Sequence, residues 1–123
     1  MKAVIQRVTR ARVTVDERVT GKIEKGYLVL LGVMDGDGKA QAELLAKKVA
    51  EIRINTDEND KMNLSIQQTG GAVLVVSQFT LCADISHGRR PSFTPSAAPD
   101  KANELYLYFC EQLKAKGIEF ETE

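Results

Sequence analysis

The chain of 123 residues has no tryptophan, one histidine, two cysteines and three prolines, and these shortages exclude several classes of protein. Cys82 and Cys110 are too few for a disulfide scaffold and lack metal-ligand spacing, so we expect reduced, partly buried thiols. A serine or cysteine hydrolase would need a general base, and His87 is the only histidine. Ser77 and Asp84 are close to it in sequence, but residues on one strand and its loop rarely converge into a triad.

Long apolar runs are also missing. The longest uncharged apolar stretch, residues 27–34, is far shorter than the roughly 20 residues that a membrane helix needs. The sequence opens at Met1 in strand-like sequence rather than in a signal peptide. We therefore expect a cytoplasmic protein with no membrane partner.

Net charge is zero, because 17 Lys and Arg residues balance 17 Asp and Glu residues. A neutral total argues against a general nucleic-acid binder, and no DNA partner is expected. The distribution is uneven, since residues 1–25 carry seven Lys or Arg residues and three Asp or Glu residues. The cations that are candidates for phosphate contacts, or for a merely solvated face, are Arg7, Arg10, Arg12, Arg18, Lys22, Lys25, Arg89 and Arg90.

Hydrophobic periodicity predicts a single α+β domain with a mostly antiparallel sheet and two packed helices. Strands are expected over residues 4–15 with a bend at 9–12, over 18–23, 27–33 and 72–81, and from 118 onward. Helical spacing covers residues 39–53 and the segment that follows Pro99 and ends near Gly117. Residues 35–38 and 57–60 lack the ligand spacing of a calcium loop, so we expect turns there, and residues 55–61 form a polar loop.

Residues 72–81 read Ala-Val-Leu-Val-Val-Ser-Gln-Phe-Thr-Leu and are the most informative segment. An apolar run rich in valine predicts a strand covered on both faces. It ends in Ser77, Gln78, Phe79 and Thr80, where an open sheet commonly places a ligand. The alternative is an ordinary strand end whose hydroxyl groups cap the chain.

Five segments, taken in this order, resemble D-aminoacyl-tRNA deacylases: residues 1–11, 27–33, 61–65, 77–81 and 90–93. The likeness runs from Met1 to about Gly117, and Ser-Gln-Phe-Thr at 77–80 matches one of that family's two signature motifs. The resemblance implies a homodimeric, cytoplasmic hydrolase whose sheet closes into a barrel-like dimer, with no metal and no organic cofactor. Its substrate would be the acceptor end of a tRNA, and the bond cut would be the ester to a D-amino acid or to glycine.

The resemblance also assigns site residues. It places catalysis at Ser77, Gln78, Phe79 and Thr80, and substrate binding at Arg7, Pro91, Ser92 and Phe93. In this reading Arg7 supports a chirality-selecting motif, and residues 91–93 form the adenosine-side wall of the pocket. The alternatives are that Arg7 is an ordinary exposed strand residue and that Phe93 belongs to the core.

An aminoacyl ester needs less catalytic help than a peptide, because alcohol is the better leaving group. We expect backbone N–H groups around Gln78, Phe79 and Thr80 to stabilise the oxyanion, with the substrate's own 2′-hydroxyl assisting. A Thr80 nucleophile is the competing mechanism, although nothing nearby in sequence would deprotonate it.

The second signature of the resembled family is a cis Gly-Pro pair, which excludes L-amino acids by entering the partner subunit's pocket. No glycine precedes Pro91, Pro95 or Pro99 in this chain. We therefore expect residues 1–123 to form one deacylase domain that lacks the family's C-terminal strands, within a natural chain that continues. A noncatalytic RNA-end binder or a regulatory dimer with the same fold is the alternative function.

Overall fold

The computed structural model describes residues 1–123 and alternates strands with helices. In chain order the elements are β1 (Lys2–Val8), β2 (Ala11–Val15), β3 (Arg18–Ile23), β4 (Gly26–Gly32), α1 (Lys39–Glu51), β5 (Asn55–Thr56), β6 (Met62–Leu64), α2 (Ile66–Thr69), β7 (Ala72–Ser77), a 3₁₀ helix (Phe79–Cys82), α3 (Pro99–Ala115) and β8 (Phe120–Thr122).

The main sheet has the strand order β1-β4-β7-β8. Strands β1 and β4 are antiparallel, whereas β4 runs parallel to β7 and β7 runs parallel to β8. The expected mostly antiparallel, barrel-like sheet is therefore wrong: the sheet is mixed and open, within a single α+β domain. Helix α1 lies between β4 and β7, and α3 lies between β7 and β8, and such crossovers return the chain to the same end of a sheet.

One face of this sheet is covered by α1 and α3, and the buried side chains of β4 and β7 alternate accordingly. The helix-facing residues Tyr27, Val29, Val73 and Val75 are fully buried and belong to the same core cluster as Phe109 of α3. Burying each of the aliphatic side chains contributes roughly 1.5–3 kcal/mol to the free energy of folding.

The opposite face of β7 is covered by the hairpin of β2 and β3. Leu74 is fully buried there, so β7 is covered on both faces at its centre as expected, whereas Val76 on the same face is only half-buried. The hairpin lies so close that a Cβ atom at Gly21 would stand 2.9 Å from Leu74 Cδ1 and 2.2 Å from the Thr122 carbonyl oxygen. A side chain at residue 21 would push the hairpin off the sheet.

Both expected helices are present, and α1 ends at Glu51, slightly before its predicted end. Helix α3 begins at Pro99 and is followed by Gly117 with φ +77°. A third, short helix, α2, was not predicted, although Ser65 and Gln68 form a capping box at its start. The expected polar loop contains the two residues of β5, which pair with β6. None of the helices combines the length and apolar character required of a membrane-spanning segment.

The turn after β4 is fixed by a buried ion pair. The Met1 ammonium lies 2.6 Å from Asp37 Oδ2, and these side chains are 1% and 8% exposed. The same oxygen accepts a hydrogen bond from the Met34 N–H at 2.7 Å. Two backbone hydrogen bonds then join this turn to the segment before α3, from Asp35 N–H to the Pro95 carbonyl and from Ala97 N–H to the Val33 carbonyl.

Candidate active site

Strand β7 ends at Ser77 rather than at Leu81, because the chain turns into the 3₁₀ helix. Gln78 N–H still continues the ladder and donates to the Leu31 carbonyl at 2.8 Å. The first N–H groups of a helix have no acceptor within it, and those of Phe79 and Thr80 have no protein acceptor. We expected the backbone N–H groups of Gln78, Phe79 and Thr80 to be free. Those of Phe79 and Thr80 are free, whereas that of Gln78 is hydrogen-bonded.

The turn is held in place by Gly32 at the end of β4. A Cβ atom there would lie 3.0 Å from Leu81 Cβ and 3.1 Å from Cys82 Sγ. The buried Cys82 thiol also donates to the Val33 carbonyl at 3.5 Å. The backbone that carries the free amides of Phe79 and Thr80 is therefore packed closely against the end of β4.

Thr80 has one side-chain partner, since Gln78 Nε2 donates to Thr80 Oγ1. An amide is not a base, so this contact orients the hydroxyl group but does not activate it. The only histidine, His87, is exposed in the loop that follows the 3₁₀ helix. No carboxylate or imidazole is hydrogen-bonded to Thr80 Oγ1.

An open cleft of about 500 Å³ lies beside this turn. Phe79 and Phe93 border it in an edge-to-face pair, with ring centroids 5.3 Å apart and planes at 68°. Phe79 is 57% exposed and Phe93 is 40% exposed, so the alternative that Phe93 is a core residue is wrong. The cleft is lined by Ser77, Phe79, Phe93, Ser96, Ala97, Pro99, Ala102 and Asn103.

Sequence reasoning missed the side of the cleft formed by Ser96, Ala97 and the first turn of α3. Pro99 was recognised only as a helix start, and Asn103 belongs to no motif. These residues reach the cleft because hydrogen bonds tie residues 95 and 97 to the turn after β4. No local sequence pattern predicts the hydrogen bonds between these two segments.

Two of the three expected wall residues do not line the cleft. Ser92 is paired with Asp84 through two backbone hydrogen bonds of 2.7 and 2.8 Å, and Pro91 belongs to the exposed loop that this bridge closes. The bridge between Ser92 and Asp84 fixes the segment from which Phe93 reaches Phe79. Asp84 itself accepts from the N–H and hydroxyl of Ser86, and these hydrogen bonds lower the pKa of its carboxyl group.

Arg7 lies at the opposite end of the sheet from Ser77. It pairs with Tyr27 of β4, whereas Ser77 pairs with Leu31, and four residues of strand correspond to about 13 Å. Arg7 Nη1 donates to the Ile54 carbonyl at 2.8 Å. Burial raises the pKa of the Tyr27 hydroxyl, while hydrogen bonding to Asn55 and the nearby Arg7 charge partly oppose that change. One chain alone does not bring Arg7 to the cleft.

The carbonyl and amide groups at the end of β7 are anchored on both sides. Tyr106 Oη donates to the Val75 carbonyl at 2.6 Å, and Glu123 Oε1 accepts from Ser77 N–H at 2.9 Å. Burial raises the pKa of the Tyr106 hydroxyl, so it stays a donor at neutral pH. The site is therefore an anchored strand end with two free amide donors and an aromatic rim.

Comparison with known proteins identifies the family of this chain. Residues 4–123 match the family model described as D-Tyr-tRNA(Tyr) deacylase. The D-aminoacyl-tRNA deacylase of Koribacter versatilis is 57% identical over 122 residues, which are 99% of this chain and 82% of that protein. The enzyme of the same name from Photorhabdus laumondii subsp. laumondii is 57% identical over 121 residues, covering 98% of this chain and 83% of the relative.

Solved structures show the same fold. The c-Myc DNA unwinding element binding protein has a TM-score of 0.92 at 34% identity, covering 100% of this chain and 85% of that one. A probable eukaryotic D-amino acid tRNA deacylase has a TM-score of 0.79 at 18% identity, covering 94% of this chain and 68% of that one, and this likeness concerns the fold alone. The family resemblance seen in the sequence is confirmed: this chain belongs to the D-Tyr-tRNA(Tyr) deacylase family.

Proposed function

We propose that this chain is a hydrolase that cleaves the ester bond of D-aminoacyl-tRNA and so releases free tRNA and the D-amino acid. The observation that carries the proposal is identity of 57% over nearly the whole chain to proteins named for this activity. The geometry at residues 77–80 supports it, because the family motif becomes a pair of free amide donors beside a cleft.

In the proposed reaction a water oxygen adds to the ester carbonyl carbon, and the carbonyl oxygen becomes an oxyanion. The N–H groups of Phe79 and Thr80 donate to that oxyanion, each contributing on the order of 3 kcal/mol to transition-state stabilisation. The bond from carbon to the ribose 3′-oxygen then breaks, and the proton lost by water reaches that oxygen with the help of the substrate's 2′-hydroxyl. No protein group is covalently modified.

This route is favoured over a Thr80 nucleophile by the contacts of that residue. Its hydroxyl oxygen accepts a hydrogen bond from Gln78, and no carboxylate or imidazole is hydrogen-bonded to it. A nucleophilic hydroxyl needs such a base. Thr80 instead contributes its main-chain donor, and its side chain positions water.

The aromatic rim gives the terminal adenosine a binding surface. Phe79 and Phe93 leave much of their rings exposed at the mouth of the cleft, and stacking of a base on an aromatic ring contributes about 1–3 kcal/mol. The bridge of Ser92 to Asp84 holds Phe93 there.

A homodimer accounts for two further features. The sheet face opposite the helices leaves Val4 49% exposed, with Leu28, Leu30 and Val76 only half-buried around it. Arg7 lies far from Ser77 in one chain, and a two-fold arrangement brings the Arg7 end of one sheet toward the Ser77 end of the other. Sedimentation equilibrium tests the dimer: Val4→Asp should shift it toward monomer, and a wild-type chain that is monomeric at assay concentrations refutes the proposal.

The activity is tested by paired deacylation of D- and L-tyrosyl-tRNA, with glycyl-tRNA as a third substrate. We expect release of the D-amino acid, and little turnover when the tRNA ends in 2′-deoxyadenosine. Equal rates on the deoxy substrate contradict the assisted mechanism, and absence of any D-ester cleavage by the folded protein contradicts the activity. A cytoplasmic location stays a prediction.

A binding function without turnover has one observation in its favour. The c-Myc DNA unwinding element binding protein, named for DNA binding, covers this whole chain at 34% identity. Fluorescence anisotropy with duplex DNA and with uncharged tRNA separates the two functions. Tight duplex binding together with no deacylation would favour this second candidate.

A further inference from the structure

The loop of residues 85–91 joins two segments of the site and carries two cations and no carboxylate. It contains Arg89 and Arg90, and both side chains are exposed. The two ion pairs of the structure, Met1 with Asp37 and Lys22 with Glu24, involve neither arginine. Asp84, the carboxylate at the base of this loop, is instead engaged by the N–H and hydroxyl of Ser86.

This loop is attached firmly to the site at both ends. The reciprocal backbone hydrogen bonds between Asp84 and Ser92 close it. Before Asp84 comes the 3₁₀ helix that carries the free amides, and after Ser92 comes Phe93, which contacts Phe79. The loop that carries Arg89 and Arg90 is therefore anchored at both ends to segments of the site, although its tip is open to solvent.

The substrate supplies the matching charge. A terminal adenosine held at the Phe79 and Phe93 rim has its 5′-oxygen bonded to the first phosphodiester, and each preceding nucleotide adds another phosphodiester along the strand. Arginine is suited to these groups, because its planar guanidinium donates two parallel hydrogen bonds to one phosphate. Gly88, with φ +72°, has no side chain to hinder close approach of the strand.

We infer that Arg89 and Arg90 bind the phosphodiesters immediately preceding the terminal adenosine of the tRNA. This inference rests on the proposed function and adds to it a phosphate subsite that is distinct from the amides that act on the ester. These arginines are binding residues for the single-stranded acceptor end, and they make no contact with the reacting carbonyl group.

A series of D-tyrosyl esters of increasing length tests the inference. The esterified molecules are adenosine, the dinucleotide CA, the trinucleotide CCA and full tRNA, and each contains more phosphates than the one before. Arg89→Gln/Arg90→Gln should match wild type on the adenosine ester. On CCA and full tRNA, its kcat/KM should fall about ten- to a hundredfold at about 50 mM salt, and the slope of log kcat/KM against log salt should flatten by about 1.4.

Matched controls separate local contacts from net charge. Lys47→Gln/Lys61→Gln removes the same charge from exposed positions on α1 and the turn before β6, and should behave as wild type on every substrate. Arg89→Lys/Arg90→Lys keeps the charge and should recover most of the salt slope.

The inference is overturned if the Arg89→Gln/Arg90→Gln variant keeps wild-type kcat/KM and salt slope on full tRNA. It is equally overturned if the variant loses as much on the adenosine ester, or if the lysine control loses as much on tRNA. Anisotropy with uncharged tRNA provides a readout independent of turnover. If wild type binds it more tightly than the variant yet cleaves nothing, the proposed function fails and the phosphate subsite stands.

Discussion

The buried ion pair between Met1 and Asp37 makes a strong prediction about stability. Asp37→Asn removes the countercharge of an ammonium group 2.6 Å away, in a place where the two side chains are 1% and 8% exposed. Removing one partner of a buried pair costs about 3–5 kcal/mol, because the remaining charge is left desolvated. The asparagine oxygen can still accept from Met34 N–H, so we expect the lower end, about 3 kcal/mol.

The measurement is equilibrium urea unfolding followed by circular dichroism. With an m-value of about 2 kcal/mol/M, the midpoint should fall by about 1.5 M without a change in m. At about 4 °C for each kcal/mol, the melting temperature should fall by about 12 °C. Asp35→Asn is the matched control, since this neighbouring carboxylate is exposed, has no side-chain partner and carries the same charge. Its effect should stay within about 0.5 kcal/mol.

If the two variants unfold at the same urea concentration, the ion pair contributes nothing and the reasoning is refuted. Because Asp35 N–H and Ala97 N–H join this turn to the cleft, loss of Asp37 should also loosen one side of the site. Amide exchange at Ala97 should therefore accelerate in Asp37→Asn, relative to the Asp35→Asn control.

Four further outcomes are expected. Thr80→Ala should lower the deacylation rate less than a hundredfold and trap no acyl-enzyme, whereas abolition of turnover with a covalent acyl-threonine would establish the nucleophile. Phe79→Ala should raise KM for tRNA about tenfold, with little change in kcat, if its ring binds adenosine. Burial raises the pKa of the Cys110 thiol to about 12 from its ordinary value near 9, so the free energy of unfolding should decrease as pH rises from 9 toward 12. The same thiol should react with an alkylating reagent at pH 8 only after denaturation, and rapid labelling of the native protein would contradict its burial.

Local sequence patterns predicted most elements correctly, because those elements depend on neighbouring residues. The valine-rich run gave β7, the apolar spacing gave α1 and α3, and the Ser65 capping box also signalled the short helix that our reading overlooked. The direction of the strands, in contrast, could not be predicted from local patterns. The parallel pairing of β7 with β4 follows from where α1 returns the chain, and hydrophobic alternation alone does not encode that direction.

The candidate site was also predicted from the sequence only in part. The order of residues 77–80 placed a polar motif at a strand end, and the match of that motif to the family indicated the proposed chemistry. Which amides are free was decided by the fold: Gln78 N–H reaches Leu31 in the neighbouring strand, while Phe79 and Thr80 begin a 3₁₀ helix.

Sequence by itself therefore determined the family, most of the helices and strands, and the motif that carries the proposed chemistry. Tertiary structure alone decided that Arg7 and Ser77 lie at opposite ends of one sheet, that Phe93 borders a cleft instead of filling the core, and that the first turn of α3 completes that cleft. The reason is physical. Periodicity and capping act over a few residues, whereas register, crossover and loop closure join residues far apart in sequence through hydrogen bonds formed only in the folded chain.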